Sequence, residues 1–203
     1  MKFKATPISY RATGLFSSLV NDYLEAKGTA QSYVEYNATL DGYKKAIEQR
    51  ASFPTNRKVL VEVLQNQYTQ LAKDVNSLNN KEAFKLVNDN VSLLLKENTF
   101  TVTTAHQPNI FTGPLYFIYK IAHTVALAKS LQKQIPEANF VPVYYMGSED
   151  ADFEELSHAT VNGVKYQWAT QQNGAFGRMV IDKNITQLIH ALKDQVSVSI
   201  QRN

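Results

Sequence analysis

The chain has 203 residues, of which 44% are hydrophobic, with a formal net charge of +3 and no cysteine. This composition is typical of a packed globular protein and argues against wholesale disorder. The absence of cysteine excludes a disulfide scaffold, a thiolate zinc site and a cysteine nucleophile within this chain. Basic residues are spread along the sequence, and we find no apolar run of membrane or signal-peptide length. We therefore expect a cytoplasmic protein with no nucleic-acid partner and no membrane partner.

The first half of the sequence is predicted to be helical. Apolar residues spaced three or four apart predict a short helix over Asp22–Lys27 and a longer one over Ala30–Arg50. The same spacing predicts two further helices, which carry Val59–Leu71 and Phe84–Leu95. These apolar stripes are more readily explained as packing surfaces than as a cofactor groove. The sequence therefore predicts a mainly helical region over residues 1–98.

A change of period near residue 99 predicts an α/β segment over residues 99–203. Phe100–Thr104 and Phe140–Met146 have the β-branched and apolar character of short strands. Between them lies a helical pattern, with Pro114 as its expected first residue. Strand, crossover helix and strand within about 45 residues form a βαβ unit, so the two strands are predicted to be parallel.

The remainder of the chain gives weaker signals. Two short strands are predicted over His158–Val164 and Tyr166–Ala169, around Asn162-Gly163, and a third over Met179–Ile181. A last helix is predicted over Ile185–Lys193, with Asp182 or Asn184 at its start. We therefore expect residues 99–203 to form an α/β core with a parallel sheet; that this is only the first, incomplete part of the core is implied by the resemblance described below.

A polar turn with a histidine follows the first predicted strand and opens the crossover helix. Its candidate site residues are His106, Gln107, Pro108, Asn109, Phe111, Thr112, Gly113 and Tyr116. Backbone N–H groups at a helix start attract anions, Gly113 permits close backbone approach, and His106 can donate a hydrogen bond or act as an acid or base. The alternative is a helix-capping loop without chemistry, and the spacing alone favours neither.

An acidic turn follows the second predicted strand. Its candidate residues are Ser148, Glu149, Asp150 and Asp152; Glu154 and Glu155 belong to the same acidic run, and His158 follows shortly after. A cation or an amine reduces the repulsion between crowded carboxylates, so Mg²⁺ binding, ammonium binding and general-base chemistry are all possible functions of this turn. The alternative is a solvated acidic helix start, and His158 is more readily explained as structural. Because the carboxyl ends of parallel strands share one sheet edge, we expect both turns to lie close together.

The two turns resemble the signatures of the BshC family, the cysteine-adding enzymes of bacillithiol biosynthesis. The first motif runs from His106 to Lys120 and the second from Ser148 to Glu155, and Thr13–Ser17 also resembles an early family segment. Ala151 departs from the histidine expected at that position. Family members are more than twice as long as this chain, which therefore resembles their amino-terminal part and as such is expected to be inactive alone.

The resemblance implies a Rossmann-like, nucleotidyltransferase-like α/β fold with a parallel sheet, preceded by an N-terminal helical region. It implies an enzyme that joins L-cysteine to glucosaminyl malate through an amide bond, with a homodimer left open for the full-length proteins. It further implies catalytic roles for His106, Glu149, Asp150 and Asp152. ATP and Mg²⁺ stay open as cofactors, and no residue is assigned as a metal ligand. The alternatives are another nucleotidyltransferase-like enzyme and a non-catalytic helical interaction module over residues 30–95.

Overall fold

The structure, a computed structural model, describes residues 4, 6–74, 81–111 and 113–201 of the chain. It divides into two compact units, Met1–Asn56 and Arg57–Asn203. The candidate site turns both belong to the second unit. A domain boundary after residue 98 is a different division of the chain and stays a prediction.

In its described residues, 4 and 6–56, the first unit contains three α-helices and a 3₁₀ helix. These are α1 (Tyr10–Thr13), α2 (Ser18–Leu24), the 3₁₀ helix Gly28–Tyr33 and α3 (Leu40–Ala51). The prediction of one helix over Ala30–Arg50 is wrong, because α3 begins only after Thr39, whose side chain accepts the N–H of Gly42 as an N-cap. The short helix predicted over Asp22–Lys27 lies earlier, because Ser17 caps α2 and starts it there.

The second unit contains the predicted strand–helix–strand segment. Its elements are α4 (Arg57–Asp74), α5 (Lys81–Leu93), β1 (Thr99–His106), α6 (Leu115–Gln134), β2 (Asn139–Met146), α7 (Phe153–Leu156), β3 (His158–Val161), β4 (Val164–Gln167), the 3₁₀ helix Phe176–Arg178 and α8 (Lys183–Gln201). Pro114 has an extended backbone and is the N-cap of α6 rather than its first helical residue. The strand predicted over Met179–Ile181 is wrong, because the side-chain amide of Gln172 takes both backbone groups of Val180, which a partner strand would otherwise pair.

Strands β1 and β2 pair in parallel, which confirms the predicted βαβ unit. Their register runs from Thr99 opposite Asn139 to His106 opposite Met146, so both strands end at the same level of the sheet. Helix α6 contacts both strands, and α5 contacts β2. The buried core on the α4–α5 side consists of Val61, Val91, Leu94 and Val141.

A second apolar cluster supports the turns beyond the sheet edge. It consists of Ile110 after β1, Leu156 in α7, Trp168 after β4, and Phe176. Strands β3 and β4 form an antiparallel hairpin, and β3 ends earlier than predicted because Asn162 and Gly163, with positive φ angles, make the turn. Helix α8 is capped by the predicted Asp182, whose carboxylate accepts the N–H of Ile185. None of the helices in the described ranges is long and apolar enough to span a membrane.

Candidate functional site

The histidine turn and the acidic turn meet at the carboxyl edge of the sheet, as predicted. The N–H of Gly147 donates to the carbonyl of His106 at 3.0 Å, which continues the strand pairing by one residue. The Gln107 side-chain amide then donates to the Asp150 carboxylate at 3.1 Å. Residues more than 40 positions apart in sequence are thus hydrogen-bonded, and they form one continuous polar surface.

His106 is buried at the end of β1, and both of its ring nitrogens have partners. Nε2 lies 2.7 Å from Tyr116 Oη, and Tyr116 Oη donates to Glu155 Oε1, also at 2.7 Å. Nδ1 lies 3.0 Å from the amide nitrogen of Asn109 and 3.1 Å from the carbonyl of Gln107. The hydrogen bond to the Glu155 carboxylate, together with partial burial, raises the pKa of Tyr116.

Aromatic residues hold the histidine turn against the sheet. Tyr144 on β2 donates its hydroxyl to the carbonyl of His106 at 3.0 Å, and burial raises the pKa of this phenol. Phe117 packs edge-on between the two, with ring centroids 5.4 Å from His106 and 5.5 Å from Tyr144. On the same side, Lys120 donates to the carbonyl of Ala105 at 2.6 Å. The start of α6 and the end of β1 are therefore linked by direct contacts.

The backbone conformation of the histidine turn is constrained after Asn109. Phe111 and Gly113 have positive φ angles of 56° and 58°. A Cβ on Gly113 would lie 2.6 Å from the Asn109 side chain, so only glycine fits there. Pro108 is half-buried within the same turn, and Thr112 lies outside the described residues.

Two of the three candidate carboxylates in the acidic turn already accept hydrogen bonds. Asp150 accepts the N–H of Asp152 and the amide of Gln107, and these bonds, the first foremost, lower its pKa. Asp152 caps α7 by accepting the N–H of Glu155 at 3.2 Å. Glu149 is exposed and makes no hydrogen bond to the described residues. The acidic turn is thus a structured helix start in which Glu149, alone of the three candidate carboxylates, has no hydrogen bond to the described residues.

The loop around Gly177 packs directly on the acidic turn. Gly177 N–H donates to the carbonyl of Ser148 at 3.0 Å, and Phe176 N–H donates to the carbonyl of Asp150 at 2.8 Å. A Cβ on Gly177 would lie 2.6 Å from Ser148 Cβ.

His158 does not reach the histidine turn at the carboxyl edge of the sheet. The imidazole of His158 lies on β3, with Nδ1 2.8 Å from the carbonyl of Glu154, and makes no hydrogen bond to the histidine turn. Across the described residues, no three histidine or carboxylate side chains converge as metal ligands do.

The structure adds two residues that the sequence analysis did not assign to the site, Tyr144 and Glu155. Tyr144 falls within an apolar strand, and Glu155 was one carboxylate among several.

An open groove of about 890 Å³ lies beside the acidic turn. It is bordered by Phe153 at the start of α7, by Trp168 and Thr170 after β4, and by Asp182 at the start of α8. Trp168 is buried beneath the groove and donates its indole N–H to Asp182 at 2.9 Å. The groove therefore shares Phe153 and Trp168 with the second apolar cluster.

The fold and the joined turns define a Rossmann-like α/β protein whose candidate site lies at the carboxyl edge of its parallel strands. Residues 1–203 match the family model described as the N-terminal Rossmann-like domain of the bacillithiol biosynthesis protein BshC. The chain therefore belongs to the BshC family, which confirms the resemblance.

Several curated relatives share most of this chain, and each is named "Putative cysteine ligase BshC". The relative from Flavobacterium psychrophilum is 42% identical over 195 residues, which is 95% of this chain and 35% of that protein. The relative from Flavobacterium johnsoniae is 42% identical over 85% of this chain and 31% of its own length. The relative from Cytophaga hutchinsonii is 37% identical over 95% of this chain and 35% of its own length. The chain thus spans about a third of the length of these relatives.

Proposed function

We propose that this chain contributes the amide-forming site of a cysteine ligase that adds L-cysteine to the amine of glucosaminyl malate in bacillithiol biosynthesis. The observation that carries the proposal is the Gln107–Asp150 hydrogen bond, which joins the histidine turn and the acidic turn into one surface. Membership of the BshC family and the names of the relatives support it. The proposal includes a cytoplasmic location, and a homodimer of the longer family proteins stays a prediction.

The start of α6 suits the negative charge that develops on the acyl group. Helix α6 begins at Leu115, and Pro114 gives it no side-chain cap; among the described residues the N–H of Phe117 already donates to the carbonyl of Pro114, which leaves the N–H groups of Leu115 and Tyr116 as the candidate donors toward the turn. Such groups, placed beside Gly113, can stabilise an oxyanion or hold an anionic substituent. A phosphate of ATP fits the same donors, and ATP bound there would activate the cysteine carboxyl group for attack.

Glu149 is the carboxylate that we assign to the substrate ammonium. Asp150 and Asp152 already accept hydrogen bonds from their own turn, whereas Glu149 is exposed beside them. An ammonium must lose a proton before its nitrogen can attack an acyl carbon, and Glu149 can bind the ammonium and accept that proton. Because the described residues offer no convergent set of metal ligands, we derive no step through Mg²⁺.

His106 is assigned a positioning role in this proposal. Both of its ring nitrogens contact protein groups, and its side chain is only 4% exposed. It therefore holds the turn that presents Gly113 and the start of α6, and does not itself contact the substrate. This differs from the direct catalytic role that the resemblance implied.

The test is formation of the cysteinyl amide by the polypeptide that contains this chain. Purified protein is incubated with L-cysteine and glucosaminyl malate, with and without ATP, and the product is detected by mass spectrometry. Glu149→Gln is expected to lower the rate by about 100-fold or more, as loss of a general base does. Glu154→Gln, an exposed neighbour in the same acidic stretch, is the matched control and should retain the rate. Release of pyrophosphate or ADP with other acceptors only would favour a different nucleotidyltransferase-like enzyme.

A helical interaction module is the second candidate. Helix α4 carries several exposed apolar residues, namely Val59, Leu60, Val63 and Leu71. Such a face is typical of a surface that another polypeptide covers. Normal product formation by a variant with polar residues at Val59 and Val63 would remove the need for this alternative.

A further inference from the structure

A series of four hydrogen-bonded side chains crosses the site from the histidine turn, through the start of α6, to α7. It links Asn109, His106, Tyr116 and Glu155, with successive heavy-atom distances of 3.0, 2.7 and 2.7 Å. These lengths are those of good hydrogen bonds, and the imidazole in the middle is buried. In this series of hydrogen bonds, the atom that donates at one position therefore limits which atom can donate at the next.

The direction of the chain follows from its carboxylate end. An ionised Glu155 can only accept, so the single hydroxyl proton of Tyr116 must point toward it. The phenol oxygen can then only accept from His106, which requires a proton on Nε2. At the other side of the ring, Nδ1 is left to accept from the amide of Asn109. Every hydrogen bond in the chain thus donates toward Glu155.

We propose that Glu155 and Tyr116 are positioning residues that hold His106 as the neutral Nε2–H tautomer. The neighbouring carbonyl of Gln107, 3.1 Å from Nδ1, offers the competing arrangement, in which Nδ1–H donates to it. The Glu155 carboxylate favours the Nε2–H arrangement, because a hydrogen bond to a charged group is stronger than one between neutral groups. The Nε2–H form also lets Nδ1 accept from the Asn109 amide, which donates to the Gln107 carbonyl at 3.2 Å as well, and so adds a second bond to the side chain that lies next to Gly113.

The tautomer is measured by ¹⁵N NMR of protein labelled at histidine. Spectra are recorded at about pH 8.5, roughly two units above the ordinary pKa of imidazole, and the signals of His106 are those lost in His106→Gln. The wild-type protein should show a protonated Nε2 and an unprotonated Nδ1. A wild-type spectrum with the proton on Nδ1 would overturn the proposal without any further variant.

Two substitutions at Glu155 separate the carboxylate's effect from simple packing. In Glu155→Ala the Tyr116 hydroxyl is free to donate to Nε2, so the ratio of the tautomers should move toward Nδ1–H by about 10-fold or more. In Glu155→Gln the amide oxygen still accepts from Tyr116, so the Nε2–H form should be largely retained. Glu154→Ala, next in sequence and exposed, is the matched control and should leave the ratio unchanged.

Tyr116→Phe provides an independent test if Glu155→Ala does not fold. It removes the hydroxyl that accepts from Nε2 and leaves only the Glu155 carboxylate, whose Oε1 lies 3.6 Å away, so the preference for Nε2–H should weaken. An unchanged tautomer ratio in the folded variants would refute the proposal. The consequence for catalysis rests on the proposed function, but the tautomer is measured without substrate. A correct tautomer in a protein with no ligase activity would therefore refute only the proposed function.

Discussion

Replacing Gly177 with alanine should destabilise the packing of its loop on the acidic turn. The new Cβ would lie 2.6 Å from Ser148 Cβ and 2.8 Å from the Ser148 carbonyl oxygen. The first distance is about 0.8 Å shorter than the 3.4 Å at which ordinary contact begins, so the loop must move away. That movement strains the Gly177 N–H bond to Ser148, and overpacking of this kind costs about 1–3 kcal/mol.

Urea denaturation, followed by fluorescence of the single tryptophan, measures this cost. Trp168 lies in the apolar cluster that also contains Phe176, next to the substituted residue, so its signal reports on this region. Gly147→Ala is the matched control, because its Cβ would meet no atom closer than 3.8 Å. We expect the control to change the free energy of unfolding by less than about 0.5 kcal/mol. Equal stability of Gly177→Ala and wild type would refute the packing described here.

Three further predictions concern the supports of the site. Leu156→Ala should lower the free energy of unfolding by about 2–5 kcal/mol, because the Leu156 side chain is fully buried. Leu86→Ala, on the exposed face of α5, is the control and should lower it far less. Thermal or urea denaturation of the two variants measures the difference. Tyr144→Phe should lower the free energy of unfolding by about 1 kcal/mol in the same measurement, because the carbonyl of His106 loses a hydrogen-bond donor. An unchanged urea or thermal midpoint would contradict this hydrogen bond. Asp150 has a folded-state pKa below its ordinary value of 3.8, so its stabilisation is present above that value and is lost as the pH falls through the lowered pKa. Asp150→Asn should therefore show a smaller loss of stability than wild type between about pH 5 and pH 2, measured by urea midpoints, and an identical pH dependence would count against the assigned hydrogen bonds.

Much of the fold could be predicted from local sequence patterns. Helices α4 and α6 and strands β1 and β2 were predicted because their apolar periods agree with the structures they adopt. The prediction over Ala30–Arg50 failed because Thr39 offers a capping oxygen that starts the helix late. The strand predicted over Met179–Ile181 failed because a side-chain amide from Gln172 replaces a partner strand, and residue spacing does not reveal such a contact.

The candidate site was predictable in outline because topology decides which turns meet. Parallel strands bring the turns after His106 and Met146 to one edge, whatever their side chains are. The pairing of Tyr116 with Glu155, 39 residues apart, depends on side-chain directions that no spacing encodes. The helix-capping role of Asp152 could have been recognised, since aspartate three residues before a glutamate is a common helix start.

The most direct test of the joined site is a double-mutant cycle on ligand affinity. Glucosaminyl malate is titrated calorimetrically into the polypeptide that contains this chain and into Gln107→Ala, Asp150→Ala and the double variant. If the two turns form one binding surface through their hydrogen bond, each single substitution weakens binding and the double variant is barely weaker than either. Wild-type affinity in all three variants would contradict a shared site, and so would losses that simply add.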